Sequence, residues 1–255
     1  MELDVGQPVV LPAGEGVKML GDHVTVAERE GDHSTTPHIH RAHSDGFYVL
    51  GGEFAFADAP LPPGGFGLAP AGVVHWFAAK RARYVNIHAP GKAWTNRLRG
   101  STDDEEIDSF DPPADTSGDP LVVLPGEGEA FEGENHAIRL KAALPELCLF
   151  EFDVGPGWLG PNAHLHRHHV DAFYVLDGTL AFELDGERQP AEQGAFVLAP
   201  PGVVHTFRNA GDDRARFLNL HAPGLRFDEY LRRAHAGEHG RRFLESFDVY
   251  EAEVS

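Results

Sequence analysis

A chain of 255 residues, 42% of them hydrophobic, is long for one ordinary domain, comfortable for two, and apolar enough to fill real cores. A formal net charge of −19 argues against a nucleic-acid partner, whose phosphates need patches of Lys and Arg, and reads as solubility. No apolar run approaches the roughly 20 residues of a membrane span, and a lone cysteine, Cys148, excludes an internal disulfide framework. The opening residues Met1-Glu2-Leu3-Asp4 show no basic region leading into an apolar stretch, so the expected location is the cytoplasm.

In chain order the sequence says the same thing twice. Val9-Val10-Leu11-Pro12 returns as Val122-Val123-Leu124-Pro125, and His38-Ile39-His40-Arg41 returns as His164-Leu165-His166-Arg167. Asp45-Gly46-Phe47-Tyr48-Val49-Leu50 matches Asp171-Ala172-Phe173-Tyr174-Val175-Leu176. The stretch from Leu68 to His75 matches the stretch from Leu198 to His205. Asn86-Ile87-His88-Ala89-Pro90-Gly91 matches Asn219-Leu220-His221-Ala222-Pro223-Gly224, and Ser109-Phe110-Asp111 matches Ser246-Phe247-Asp248.

The expected domains are therefore 1–111 and 121–255. Between the copies, Gly100–Pro120 is rich in Asp, Glu, Pro and Gly without apolar periodicity and reads as a solvated linker, its end at 112–120. The second copy has extra residues around Ala142–Asp153 and four more in the loop before the stretch that ends in His205. The first domain is thus expected to have one strand fewer or to borrow one.

Within each copy the segments are short and β-rich. Phe173–Leu176, Leu180–Leu184, Ala195–Leu198 and Phe217–Leu220 read as strands separated by turn residues. Asp185-Gly186 signals a tight hairpin, while Asp177-Gly178 fits either a turn or a kink in one strand. Helical candidates are short, Phe227–His235 the better of them. Many short strands at regular spacing give an all-β fold of sandwich or barrel type.

Histidines at i and i+2 of a strand share a face, so His38 with His40, and His164 with His166, each offer two imidazoles side by side. Asp45 and Asp171 come five residues later. An odd spacing points them away on an unbroken strand. A turn through Arg41–Ser44, or Arg167–Val170, brings the carboxylate back. His75 or His205, after a Pro-x-Gly turn, supplies a third imidazole. Three imidazoles and a carboxylate suit a first-row divalent metal better than calcium or magnesium.

These motifs resemble the cupin superfamily, and in particular its two-domain members, the bicupins. The family's first motif, G-x5-H-x-H-x4-E-x6-G, is met by His38, His40, Asp45 and Gly52 and again by His164, His166, Asp171 and Gly178. Its second, G-x5-P-x-G-x2-H-x3-N, is met by Gly64, Pro70, Gly72 and His75, then by Gly194, Pro200, Gly202, His205 and Asn209. Both copies carry Asp for the usual Glu, which leaves direct ligation, ligation through water, or support from behind the ligands all open. Gly31 and Gly157 lie one residue further from the histidines than the pattern has it, and Ala79 replaces the closing asparagine of the first copy.

The resemblance implies two tandem jelly-roll barrels followed by short helices, with one divalent transition metal (Fe, Mn, Ni, Cu or Zn) per domain. Its ligands would be His38, His40, Asp45 and His75 in the first and His164, His166, Asp171 and His205 in the second. Such a site leaves room for substrate and dioxygen together, so the expected activity is that of a metal-dependent, dioxygenase-like oxidoreductase acting on a small phenolic or enolic chelator. The same motifs also serve isomerases, lyases, decarboxylases and non-catalytic binding bicupins. The expected partner is a small molecule, with neither nucleic acid nor membrane, and a homo-oligomer stays open.

Four further expectations concern neighbours of the motifs. His88 and His221, each two residues after an asparagine on one strand face, are expected inside the barrels as acid–base or substrate-orienting groups. His43, His168 and His169 are expected to be exposed turn residues. The acidic run Asp103–Asp108 is expected to be solvated. Tyr48 and Tyr174, alternating with Phe47 and Phe173, are expected to pack.

Overall fold

The computed structural model describes residues 7–252 other than 115 and 117. Packing divides the chain into two units. One holds Glu15–Glu127; the other holds the chain from Gly128 together with the described residues up to Gly14. Each Val-Val-Leu-Pro phrase thus gives its strand to the unit of the other copy. Val9–Leu11 pairs with Phe196–Leu198, and Leu121–Val123 pairs with Phe66–Leu68.

The first unit is an antiparallel sheet in the order Gly16–Met19, Thr25–Ser34, Phe77–Ala89, Ser44–Phe56, Phe66–Ala69, Leu121–Val123. Phe47, Val49, Phe54, Phe56 and Tyr84 fill its core. The second unit has a seven-stranded and a five-stranded sheet, both antiparallel. Its core gathers Phe150, Phe152, Phe173, Phe182, Phe207 and Phe217. The alternation that puts Phe47 and Phe173 into these cores sends Tyr48 and Tyr174 to the opposite sheet face, where both are buried.

The elements follow their sequence signals closely. Strands Val170–Asp177, Thr179–Leu184, Phe196–Ala199 and Ala215–Ala222 contain or overlap the apolar runs, and the helix is Phe227–His235. Asp185 and Gly186 both have positive φ, 48° and 84°, as a type I′ hairpin turn requires. Asp177-Gly178 is a kink between two strands. Gly178 sits at φ 75°, and a Cβ there would lie 2.7 Å from the Arg214 carbonyl oxygen. Its counterpart Gly52, at φ 80° and with room for no Cβ, which would lie 2.1 Å from the Arg81 carbonyl oxygen, lets Ser44–Phe56 run through the same bend unbroken.

The residues Ala142–Asp153 turn out to have a counterpart in the first unit. Cys148–Val154 lies beside Ala215–Ala222 as Thr25–Ser34 lies beside Phe77–Ala89, with Cys148 opposite His221 and Thr25 opposite His88. Among the described residues, the strand peculiar to the second unit is Glu129–Gly133. The acidic run is not all solvated: Asp104–Ile107 is a helix capped by the Asp103 side chain, and Ile107 and Asp108 are buried. No helix is long and apolar enough to cross a membrane among the described residues.

Candidate metal centre

His38 and His75 face each other across an antiparallel bridge, and His164 faces His205 in the same way. His40 and His166 follow two residues on, with ring centroids 4.9 and 5.0 Å from those of His38 and His164. The chain then turns, and the next strand delivers Asp45 opposite His88 and Asp171 opposite His221. In each unit the three imidazoles and the carboxylate present ligand atoms within 4.8 Å of one another. These four residues are the ones the motifs bring together, and they are able to hold a metal.

The hydrogen bonds behind the rings decide which nitrogens face inward. Nδ1 of His38, His40 and His75 lies 2.9, 2.6 and 3.0 Å from the carbonyls of Thr36, Asp108 and Val73. Nδ1 of His164, His166 and His205 lies 2.8, 2.8 and 3.0 Å from those of Asn162, Asp248 and Val203. A carbonyl only accepts, so each Nδ1 carries a proton, and in the neutral form of the ring that leaves an Nε2 lone pair toward the centre. Nε2 of His40, His75 and His166 is buried without a hydrogen-bond partner among the described residues.

Facing these lone pairs is a second acceptor. Asp45 Oδ2 lies 3.4 Å from His75 Nε2 and 3.8 Å from His40 Nε2. Asp171 Oδ2 lies 3.1 Å from His205 Nε2 and 3.7 Å from His166 Nε2. Lone pairs turned on a carboxylate in a buried site repel, and a cation between them converts that repulsion into coordination. The donor set fits a divalent metal.

The other carboxylate oxygen is held from behind. Asn86 Nδ2 donates to Asp45 Oδ1 at 2.7 Å and Asn219 Nδ2 to Asp171 Oδ1 at 2.5 Å. His88 and His221 donate from Nε2 to the asparagine carbonyls at 3.0 and 2.9 Å, and both are buried. Glycines at 91 and 224 then turn the chain so close to other backbone that a Cβ would lie 2.3 Å from the Gly21 carbonyl oxygen and 2.4 Å from that of Leu144. The turn lays Trp94 over His88 and Phe227 over His221, at centroid distances of 4.1 and 3.5 Å.

Two residues in each unit escaped the sequence reading. Asp108 accepts from the amides of Arg41 and Ala42 and from His43 Nδ1 at 2.9, 2.8 and 2.8 Å. Asp248 does the same with Arg167, His168 and His169. His43 and His169 are therefore buried, their ring centroids 3.9 Å from those of His40 and His166; only His168 is the exposed turn residue expected. The match of Ser109-Phe110-Asp111 to Ser246-Phe247-Asp248 is out of register. Asp108 is the partner of Asp248, and Arg41 lies over Phe110 as Arg167 lies over Tyr250.

Burial, against the pull of the carboxylates, holds the histidine pKa values down: His38 to about 4, His169 to about 4, and His88, His164 and His221 well below the ordinary 6.5. For Asp45 and Asp171 burial works the other way, but the surrounding imidazoles, His88 and His221 foremost, keep both well below the usual carboxylate range. Likewise Asp108 and Asp248 overcome burial through His43 or His169 and the turn amides, and lie at about 2. The unfolded chain binds protons below about 6.5 that these folded imidazoles refuse. Stability of the metal-free protein should therefore fall as pH drops from about 6.5 toward 4. Thermal melts of chelator-treated protein check this; a melting temperature that stays level or rises over that window would refute it.

A family model described as a cupin domain matches residues 150–221. The chain has the two-domain cupin fold. Quercetin 2,3-dioxygenase of Bacillus subtilis (strain 168) is 26% identical over 116 residues, 44% of this chain and 34% of that protein. Among solved structures, salicylate 1,2-dioxygenase from Pseudaminobacter salicylatoxidans aligns with TM-score 0.60 at 11% identity, covering 88% of this bicupin and 86% of that chain. Oxalate decarboxylase from Bacillus subtilis aligns with TM-score 0.55 at 14% identity, covering 96% and 87%. The bicupin spans 37% and 34% of the first two curated relatives it matches. The fold is thus common to oxygenase and decarboxylase, and the chemistry has to be argued from the sites.

Proposed function

We propose that this bicupin is a metal-dependent, dioxygenase-like oxidoreductase acting on a small phenolic or enolic chelator, with one divalent transition metal in each unit. The observation that carries the metal is the set of Nδ1–H bonds to backbone carbonyls, which turns the Nε2 of three imidazoles per unit inward, two of them against one carboxylate oxygen. His38, His40, His75 and Oδ2 of Asp45 hold the first metal; His164, His166, His205 and Oδ2 of Asp171 hold the second. When bound, an iron, manganese, copper or nickel ion supplies a Lewis acid and a route for electrons between a chelated substrate and dioxygen.

The protein's own groups do the rest. His88 and His221 fix Asn86 and Asn219, which in turn hold the carboxylates in one orientation. Trp94 and Phe227 cover the inner histidines and exclude water from that side. Each site opens into a cavity large enough for a small molecule, about 1300 Å³ in the first unit and 630 Å³ in the second. The quercetin 2,3-dioxygenase likeness supports oxygen chemistry over the decarboxylase alternative.

The test is metal analysis of protein purified without chelating resin, joined to oxygen-uptake screening with flavonols and catechols. Two redox-active metals per chain with substrate-dependent uptake is the expected result. Full loading with iron or manganese and no uptake from any of them would overturn the oxygenase reading.

A further inference from the structure

The two sites repeat the same cage but not the same walls, and the strand register shows where they differ. In the first unit Thr25, Ala27 and Arg29 lie opposite His88, Asn86 and Tyr84. In the second, Cys148, Phe150 and Phe152 lie opposite His221, Asn219 and Phe217. Going outward from the cage along one strand face, the wall is thus Ala27, then Arg29 beside Tyr84 in one site. In the other it is Phe150, then Phe152 stacked 4.7 Å from Phe217. The short helix over each inner histidine repeats the contrast: three residues after Trp94 comes Arg97, and three after Phe227 comes Tyr230.

The cavities inherit these differences. Arg29, Tyr84, Asn86, Trp94 and Arg97 line the larger, polar one. Phe152, Trp158, Phe207, Phe227, Tyr230 and Phe243 line the smaller, largely aromatic one. Arg29 is half-buried, and Arg97 stands at the exposed rim with its guanidinium 5.3 Å over the Trp94 ring. Neither guanidinium is taken up in an ion pair among the described residues. Asp32, Asp104 and Asp111 also border this cavity but are exposed, and Asp32 is engaged with the Arg81 amide at 2.6 Å. They are screened by solvent, whereas Arg29 sits on the wall.

We propose that the first site takes a small chelator carrying a carboxylate at its far end, met by Arg29 with Arg97 at the mouth, and that the second takes an uncharged aromatic chelator. This rests on the metal reading above. Arg29 is one same-face step beyond Ala27, the residue opposite Asn86, roughly 7 Å along the strand, and it lines the same cavity as His38, His40 and Asp45. A planar guanidinium is suited to a carboxylate. Phe152 in its place leaves a charge unpaired in an apolar cavity, which costs more than it returns.

The probes are 3,4-dihydroxybenzoate and its neutral amide, 3,4-dihydroxybenzamide, which share the chelating end and differ only at the far one. His205→Ala leaves the first site and His75→Ala leaves the second, each loaded with Co(II) and titrated by visible absorption. The first-site protein should prefer the acid by about ten- to hundredfold, and the second-site protein should prefer the amide. Arg29→Met in the first-site protein should abolish the preference while keeping the Co(II) spectrum and the amide affinity, which also reports that the variant is folded. Normal Co(II) bands with equal preference in both sites, or an undiminished preference in Arg29→Met, would overturn the assignment and leave the metal reading intact. Failure of either protein to develop Co(II) bands would overturn the metal reading and the assignment with it.

Discussion

Elemental analysis of a His205→Ala variant should return one divalent metal per chain in place of two. The prediction is sharp because the two donor sets share no residue: one spans His38 to His75 and the other His164 to His205. Losing Nε2 of His205 leaves His164, His166 and Asp171, a three-donor remnant in which Asp171 Oδ2 has lost its 3.1 Å neighbour. Metal binding is also folding free energy, because the unfolded chain has no preformed cage. At a thousandfold excess over Kd a bound ion adds about 4 kcal/mol, so the second unit should melt earlier while the first is unchanged. His205→Gln, which leaves less of a void in this buried position, separates lost ligation from lost packing. Two metals in both variants would remove His205 from the ligand set.

The sequence was most legible where the chemistry is local. A histidine pair at i and i+2, a carboxylate just beyond a turn, and a histidine after Pro-x-Gly are all short-range patterns, and the strand period alone says they share a face. The fold gathers those four residues in each unit. Even the inward turn of His88 and His221 could be argued, since Asn and His on one strand face need partners once buried.

What was hidden depends on distance along the chain. Asp108 and Asp248 reach the histidine turn across 65 to 67 and 79 to 81 residues, and nothing in the residues around either marks it as a buried aspartate. Their left-handed backbone, φ 49° and 61°, leaves no compositional trace because Asp tolerates it. His43 and His169 looked exposed because the turn is polar; only the arriving carboxylate makes their burial affordable. The repeat misled at its ends for a related reason. Identical letters in Ser-Phe-Asp outweighed equivalent positions, whereas the structural match at Arg41 and Arg167 is between Phe110 and Tyr250. Arg29 and Phe152 share no letter at all and are aligned only by the ladder.

Asp248→Ala should weaken the second metal by about ten- to hundredfold and lower stability by about 3–5 kcal/mol. The carboxylate takes the amides of Arg167 and His168 and the Nδ1–H of His169 at 2.8 to 3.1 Å, and Ala leaves these donors without it in a mostly buried turn. The carbonyl of residue 248 still faces His166 Nδ1, so the ligand keeps its tautomer. It loses the turn that fixes its orientation, together with the His169 ring packed against it. Backbone and side chain can be told apart here. Ala at φ 61° adds roughly 1 kcal/mol of left-handed strain, whereas Asp248→Gly removes the side chain without that strain. Asp248→Asn, which tolerates the conformation and keeps one acceptor oxygen, should fall between the parent and Gly. Urea unfolding of the metal-free proteins gives the stability order, and competition with a chelator gives the affinity order. An Asp248→Gly protein as stable as the parent and binding metal as tightly would show that the turn holds itself, and that the carboxylate is incidental to the site.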